Sequence, residues 1–216
     1  MLESIKRLAA EYAESIIVTR RHLHANPELS YQEFNTAKFV ADKLRSFGLK
    51  PQEGVAKTGV VVLIEGRNPS KKVVALRADM DALPIQEVNQ VSYKSKVPGV
   101  MHACGHDVHT SSLLGTAQIL NEIRTEFEGS VKLIFQPGEE KHPGGASIMI
   151  AEGVLQNPSP VSIIGQHVMP LIPVGKIGFR EGKYMASSDE IYLRVIGKGG
   201  HGAAPELTID PVVIAA

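Results

Sequence analysis

Ile5, Leu8, Ala9, Tyr12, Ile16 and Ile17 recur at helical spacing, which predicts a helix over residues 3–23 with one buried face. A Pro27-bearing turn follows, and a second helical pattern over 32–47 meets Gly48, a residue suited to stop it. From Gly59 the period changes. Residues 60–64 (Val-Val-Val-Leu-Ile) and 72–77 are short β-branched runs bounded by turn residues and read as strands. Residues 86–100 show no period and read as a loop leading into a helix over 107–120. A strand over 131–135, a helix over 145–155 and a strand over 161–165 complete the series. This alternation through residue 167 predicts an α/β fold: a doubly wound, mostly parallel sheet with helices on both faces. Past Pro173 the alternation lapses. Residues 176–180 and 190–196 read as strands without an intervening helix, and a last helix begins at Pro211. The expected organisation is a domain over 1–183, followed by the start of a smaller α+β domain over 184–216.

Composition narrows the functional classes. With 43% hydrophobic residues in 216, the chain can bury a sizeable core. Lys plus Arg and Asp plus Glu are equal at 23 each, so no basic surplus points to nucleic acid. No apolar run reaches the roughly 18 residues that span a bilayer, and the first residues lead into an amphipathic helix rather than a signal sequence. The single cysteine cannot form an internal disulfide. These features together predict a cytoplasmic protein.

The candidate chemistry gathers at the ends of the expected strands. Residues 101–109 (Met-His-Ala-Cys-Gly-His-Asp-Val-His) hold that cysteine, three of the eight histidines and an aspartate, a metal-binding composition. Gly105 gives the freedom for Cys104 and His106 to turn toward one ion. The expected helix N-terminus beside them should favour a thiolate. Asp79 and Asp81 follow one strand, Glu139 and Glu140 end another, and His167 ends a third. In an α/β sheet this edge is where ligands bind. Side chains of adjacent residues in an extended stretch diverge, so one glutamate could bind metal while the other faces substrate. His22 and His24 beside Pro27, and His142 in a Pro-Gly-Gly loop, read as surface residues. His201 sits in a glycine-rich loop, 197–205, whose spacing does not fit a dinucleotide fingerprint.

With these residues assembled, the sequence resembles the dinuclear metal amidohydrolases of the aminoacylase and carboxypeptidase-like superfamily, in the branch of hippurate hydrolases and indole-acetyl-amino-acid hydrolases. The resemblance rests on residues 23–28 (Leu-His-Ala-Asn-Pro-Glu), 77–84 (Arg-Ala-Asp-Met-Asp-Ala-Leu-Pro), Cys104-Gly105-His106-Asp107, 136–140 (Gln-Pro-Gly-Glu-Glu), Gln166-His167, and Gly200-His201 followed by Pro205. It implies that Cys104, His106, Glu140 and His167 bind metal, that Glu139 is the general base, and that His201 is a substrate-side residue from a lid and dimerisation domain. It further implies two divalent ions, zinc or manganese, with cobalt or nickel also admissible. The implied substrate is a small N-acyl amino acid (acetyl, benzoyl or similar), hydrolysed by a homodimer with no nucleic-acid or membrane partner. Family members continue beyond residue 216 to a final histidine ligand, so the chain is expected to be the N-terminal part of such an enzyme. Two other classes compete. In one, Cys104 is a nucleophile with His106 or His167 as base, and activity survives a chelator. In the other, this stretch is an inactive metal-binding module.

Overall fold

The two amphipathic runs at the start form α1 (Leu2–Ala25) and α2 (Phe34–Ser46), close to their expected bounds. The structure is a computed structural model that describes residues 1–187, 189 and 191–216. The chain divides into two compact units, Met1–Pro170 and Leu171–Ala216.

In the first unit the β-branched runs become β2 (Gly59–Glu65), β3 (Val73–Asp79), β4 (Ser130–Gln136) and β5 (Ser162–Gly165). A further strand, β1 (Gln52–Val55), was not expected, because its Gln-Glu-Gly-Val sequence carries no β-branched run. It pairs with β2 through a tight hairpin in which Ala56 and Lys57 take positive φ. The sheet order is β1-β2-β4-β3-β5. β3 runs parallel to both β4 and β5, as the helical crossovers α3 (His106–Glu122) and α4 (Gly145–Ala151) require. The β1–β2 and β2–β4 pairings are antiparallel, so the expected α/β fold carries a mixed sheet.

Alternation along the strands builds two cores. Val60, Val62, Ile64, Leu133 and Phe135 turn to one face, against Val40, Ala41 and Leu44 of α2 and Leu113, Leu114 and Ala117 of α3. Val55, Ala75 and Ile134 turn to the other, against Met149 of α4. Helices therefore cover both faces, while α1 packs on α3 through Leu8, Ile119 and Ile123. Because β3, β4 and β5 are parallel, their carboxyl ends, at Asp79, Gln136 and Gly165, lie along one edge of the sheet.

The second unit contains a 3-10 turn, Pro205–Leu207, and α5 (Pro211–Ala215), capped by the Asp210 carboxylate accepting from Val212 N at 2.8 Å. The strands expected over 176–180 and 190–196 do not form among the described residues. Glu190, where the second was to begin, lies outside them. β-propensity marks a segment fit for a sheet, but a strand exists only where a partner takes its backbone hydrogen bonds. No helix is long and apolar enough to cross a membrane.

One buried carboxylate ties these elements together. Glu33, at the N-cap of α2 and 0% exposed, accepts hydrogen bonds from Thr58 Oγ1 at 2.7 Å and Gly138 N at 2.8 Å. Burial pushes its carboxyl above the ordinary value of 4.5. The native state then holds a proton that the unfolded state releases. Stability is fully present below pH 4.5 and is lost as pH rises through the raised pKa. Glu33→Gln keeps an oxygen for Gly138 and offers an N–H to the Thr58 hydroxyl. We predict that in urea unfolding the wild type loses stability relative to this variant between pH 4.5 and neutrality; a constant difference would show that Glu33 does not ionise in that range. Leu133, 0% exposed and paired with Val62 and Leu76, tests the core. Leu133→Ala should cost about 2–5 kcal/mol by the same measurement, and a loss under about 1 kcal/mol would contradict the packing.

Candidate metal centre

The site begins at a turn. Gly105 takes φ 87° at the N-cap of α3, and a Cβ there would lie 2.3 Å from Val168 Cγ2, so only glycine fits on both counts. The turn brings Cys104 and His106 to the same space. His106 is buried, and its Nδ1 donates to the backbone carbonyl of Asp81 at 2.8 Å with Asp81 Oδ1 3.3 Å away. A carbonyl only accepts, so the proton sits on Nδ1 and Nε2 is directed at the site.

Three other segments converge on it. Cys104 Sγ lies 3.3 Å from Nε2 of His167, which stands two residues past β5. After β4, Glu33 holds the Gly138 backbone and Asp81 Oδ2 accepts from Glu140 N at 3.0 Å and from Ser30 Oγ at 2.6 Å. Glu139 is consequently exposed, whereas Glu140 turns half-buried toward His106, with Oε1 3.8 Å from Nε2. At the end of β3, Asp79 binds the Arg77 guanidinium at 2.6 Å and His109 Nδ1 at 2.6 Å.

The electrostatics show what the space lacks. Burial alone would raise Asp79, but His109, Arg77 and His106 outweigh it and hold the carboxyl at about 2. Burial and the neighbouring Glu140 raise Glu139. Burial, then Glu140, Glu139 and Asp79, push the Cys104 thiol up to about 12. This corrects the expectation of a thiolate favoured by the helix: Cys104 lies one residue outside the N-cap, and carboxylates from other elements dominate a local dipole.

His106 Nε2 and Glu140 Oε1 are both buried and have no hydrogen-bond partner among the described residues. Their separation of 3.8 Å is too long for a hydrogen bond. Cys104, His106 and His167 bring one ligand atom each within 4.8 Å of one another, and so do His106, Glu139 and Glu140. Divalent cations fit this mixed sulfur, nitrogen and oxygen donor set, and would between them satisfy both orphaned atoms.

Five of the six residues singled out from sequence thus meet at one edge: Cys104, His106, Glu139, Glu140 and His167. His201 belongs to the second unit, where its Nδ1 accepts from Ala203 N at 3.1 Å. His22 and His142 are exposed, as expected. His24 is not a surface residue. It is buried, with Nδ1 2.8 Å from Asp107 Oδ2 and Nε2 3.2 Å from Glu87 Oε1. Both partners only accept, so both ring nitrogens donate, and the Asp107 bond raises the pKa against the effect of burial. The sequence assigns His109 no role of its own, although its place three residues after His106 puts both on one helical face.

Comparison with known proteins agrees with this geometry. The N-acyl-L-amino acid amidohydrolase of Geobacillus stearothermophilus is 50% identical over 214 residues, covering 99% of this chain and 57% of that protein. Thermostable carboxypeptidase 2 of Saccharolobus solfataricus is 48% identical over 216 residues, covering 99% and 54%. The chain therefore spans little more than half the length of these relatives. The YXEP protein of Bacillus subtilis, a dinuclear metal binding peptidase, superposes with a TM-score of 0.75 at 45% identity over 80% of this chain and 48% of that one. A model of peptidase family M20/M25/M40 matches residues 75–215, the stretch from β3 through every one of the six residues, and the chain belongs to that family.

Proposed function

We propose that the protein is a metal-dependent amidohydrolase that cleaves N-acyl amino acids, with acetyl, benzoyl or similar acyl groups, to a carboxylic acid and a free amino acid. The observation that carries this reading is the pair of buried, partnerless atoms, His106 Nε2 and Glu140 Oε1, facing one space beside Cys104, His167 and Glu139. The relatives support the bond type, since an amidohydrolase and a carboxypeptidase each break an amide.

Cys104, His106 and His167 would hold one divalent cation, and Glu140 with a share of Cys104 a second. Zinc suits the mixed donor set, and manganese, cobalt or nickel is compatible with its nitrogens and oxygens. When bound, such ions act as Lewis acids that acidify water and polarise an amide carbonyl. Glu139 takes the proton of the attacking water and delivers it to the departing nitrogen. Its raised pKa brings the carboxylate closer to the range in which a base both accepts and returns a proton near neutrality. His201 stabilises the oxyanion or the substrate carboxylate in the site of a partner subunit, in a homodimer formed through a lid domain that starts at residue 184. The substrate is small, with no nucleic-acid or membrane partner, and the setting is cytoplasmic. A cysteine nucleophile is the weaker reading, because Cys104 Sγ lies among ligand atoms of His106 and His167 and would be taken up by the cation they hold.

Glu139→Gln should retain metal while turnover of N-acetyl or N-benzoyl amino acids falls by about 10²–10⁴. Glu140→Gln should instead lose metal on dialysis. Metal analysis and turnover on the same samples check both; near wild-type activity in the first variant would remove Glu139 from the role of base. Mixing His201→Ala protein with Glu139→Gln protein should restore activity, since some mixed dimers hold one intact site. Absence of rescue in dimers shown to exchange subunits would count against action across the interface.

A further inference from the structure

We infer that Asp79 and His109 form a buried positioning dyad that aims His167 at Cys104. The inference rests on His167 being a metal ligand. Residues 166–169 follow β5 outside any helix or strand, so the sheet does not fix the His167 ring. A chain of hydrogen bonds from the protein interior does. Asp79 Oδ1 lies 2.6 Å from His109 Nδ1. His109 Nε2 accepts from Val168 N at 2.9 Å. The Val168 carbonyl accepts from His167 Nδ1 at 2.7 Å, and His167 Nε2 is left facing Cys104 Sγ at 3.3 Å.

Each link dictates the next. A backbone N–H only donates, so His109 Nε2 carries a lone pair and the ring proton sits on Nδ1, against the Asp79 carboxylate. The carboxylate thereby selects the tautomer of His109, and that tautomer is the one able to hold Val168. Asp79 is itself held by Arg77, whose Nη1 is 2.6 Å from Oδ2 and whose Nε donates to Gln136 at 2.8 Å. Val168 also rests where Gly105 has no side chain, so its backbone is located from both sides. Both His109 and Asp79 are buried, at 0% and 1% exposure, and remain in place without solvent.

Asp79, His106 and His109 also bring ligand atoms within 4.8 Å, which would suit a cation by distance alone. Occupancy argues otherwise. Both nitrogens of His109 and both oxygens of Asp79 already have partners. Asp79 and His109 are therefore a support beneath the metal centre rather than part of a further binding site. Outer partners of this kind orient the ligand ring and commonly change metal affinity about 10–100-fold when removed.

Two measurements test the dyad. Nitrogen-15 NMR of the histidine rings in the metal-free protein should show His109 neutral, protonated on Nδ1 and bare on Nε2; the opposite tautomer, or a doubly protonated ring, overturns the inference whether or not any variant folds. Cobalt(II) titration of the thiolate-to-cobalt absorption then separates the links. In His109→Gln the amide oxygen reaches the position of Nε2 and accepts from Val168. In His109→Asn the shorter amide reaches only Asp79. With folding checked by circular dichroism, the Asn variant should bind cobalt about 10–100-fold more weakly and the Gln variant within about 3-fold of wild type. Equal affinities in the two variants would refute positioning through Val168. If wild-type protein shows no thiolate–cobalt band, the metal-site reading fails instead, and the NMR result still judges the dyad.

Discussion

The site depends first on a steric constraint, the left-handed turn at Gly105 against Val168. Any side chain at this position would strain the backbone and also displace the residue that seats His167. Removing the Cβ lets the chain reverse between Cys104 and His106, so a thiol and an imidazole two residues apart address one volume. It also lets the segment after β5 approach α3 closely enough for Val168 N to reach His109. One missing carbon thus sets the relation between residues 63 positions apart in sequence.

Around that turn, buried polar groups fall into two sets with different consequences. The supporting set is bonded through Glu33 to Thr58 and Gly138, through Asp81 Oδ2 to Ser30 and Glu140 N, and through Asp79 to Arg77 and His109, with Asp81 Oδ1 left without a hydrogen bond. Burying a carboxyl group is costly unless it finds partners, and here the bonds to Gly138 N and Glu140 N fix the loop that carries Glu139 and Glu140. The set facing the space itself is left short of partners, at His106 Nε2 and Glu140 Oε1. Carboxylates crowd a thiol whose pKa has risen to about 12, and a cation is the species that relieves both conditions at once.

Most of the fold was legible because its signals are local. β-branched runs became strands and amphipathic runs became helices, and parallel strands brought residues named separately, Glu139, Glu140 and His167, to one edge. What was not legible depended on distant partners. β1 is polar and glycine-containing and exists through its hairpin with β2. His24 reads as a surface residue at a helix end, yet it is buried against Asp107, 83 residues away, whose carboxylate raises its pKa. His109 acquires its role from Asp79 and Val168, 30 and 59 positions distant. The Cys104 thiol misled for the same reason: a helix terminus can be read from local sequence, whereas carboxylates folded against it from other elements cannot.

The same long-range contacts send two adjacent glutamates in different directions. Nothing local distinguishes Glu139 from Glu140, since both are carboxylates in one loop. The loop, however, is clamped on both sides of Glu139 by buried carboxylates, Gly138 N by Glu33 and Glu140 N by Asp81. With the backbone fixed at those points, adjacent side chains must diverge. One is sent inward to His106 and the other outward to solvent. A group that binds an ion gains from burial and a fixed position. Burial first, and then the charge of Glu140, raise the Glu139 carboxyl, which suits the proton-moving role proposed for it. The separation of their directions is therefore a property of the clamp, and residues remote from the site, such as Glu33 at the start of α2, help to set it.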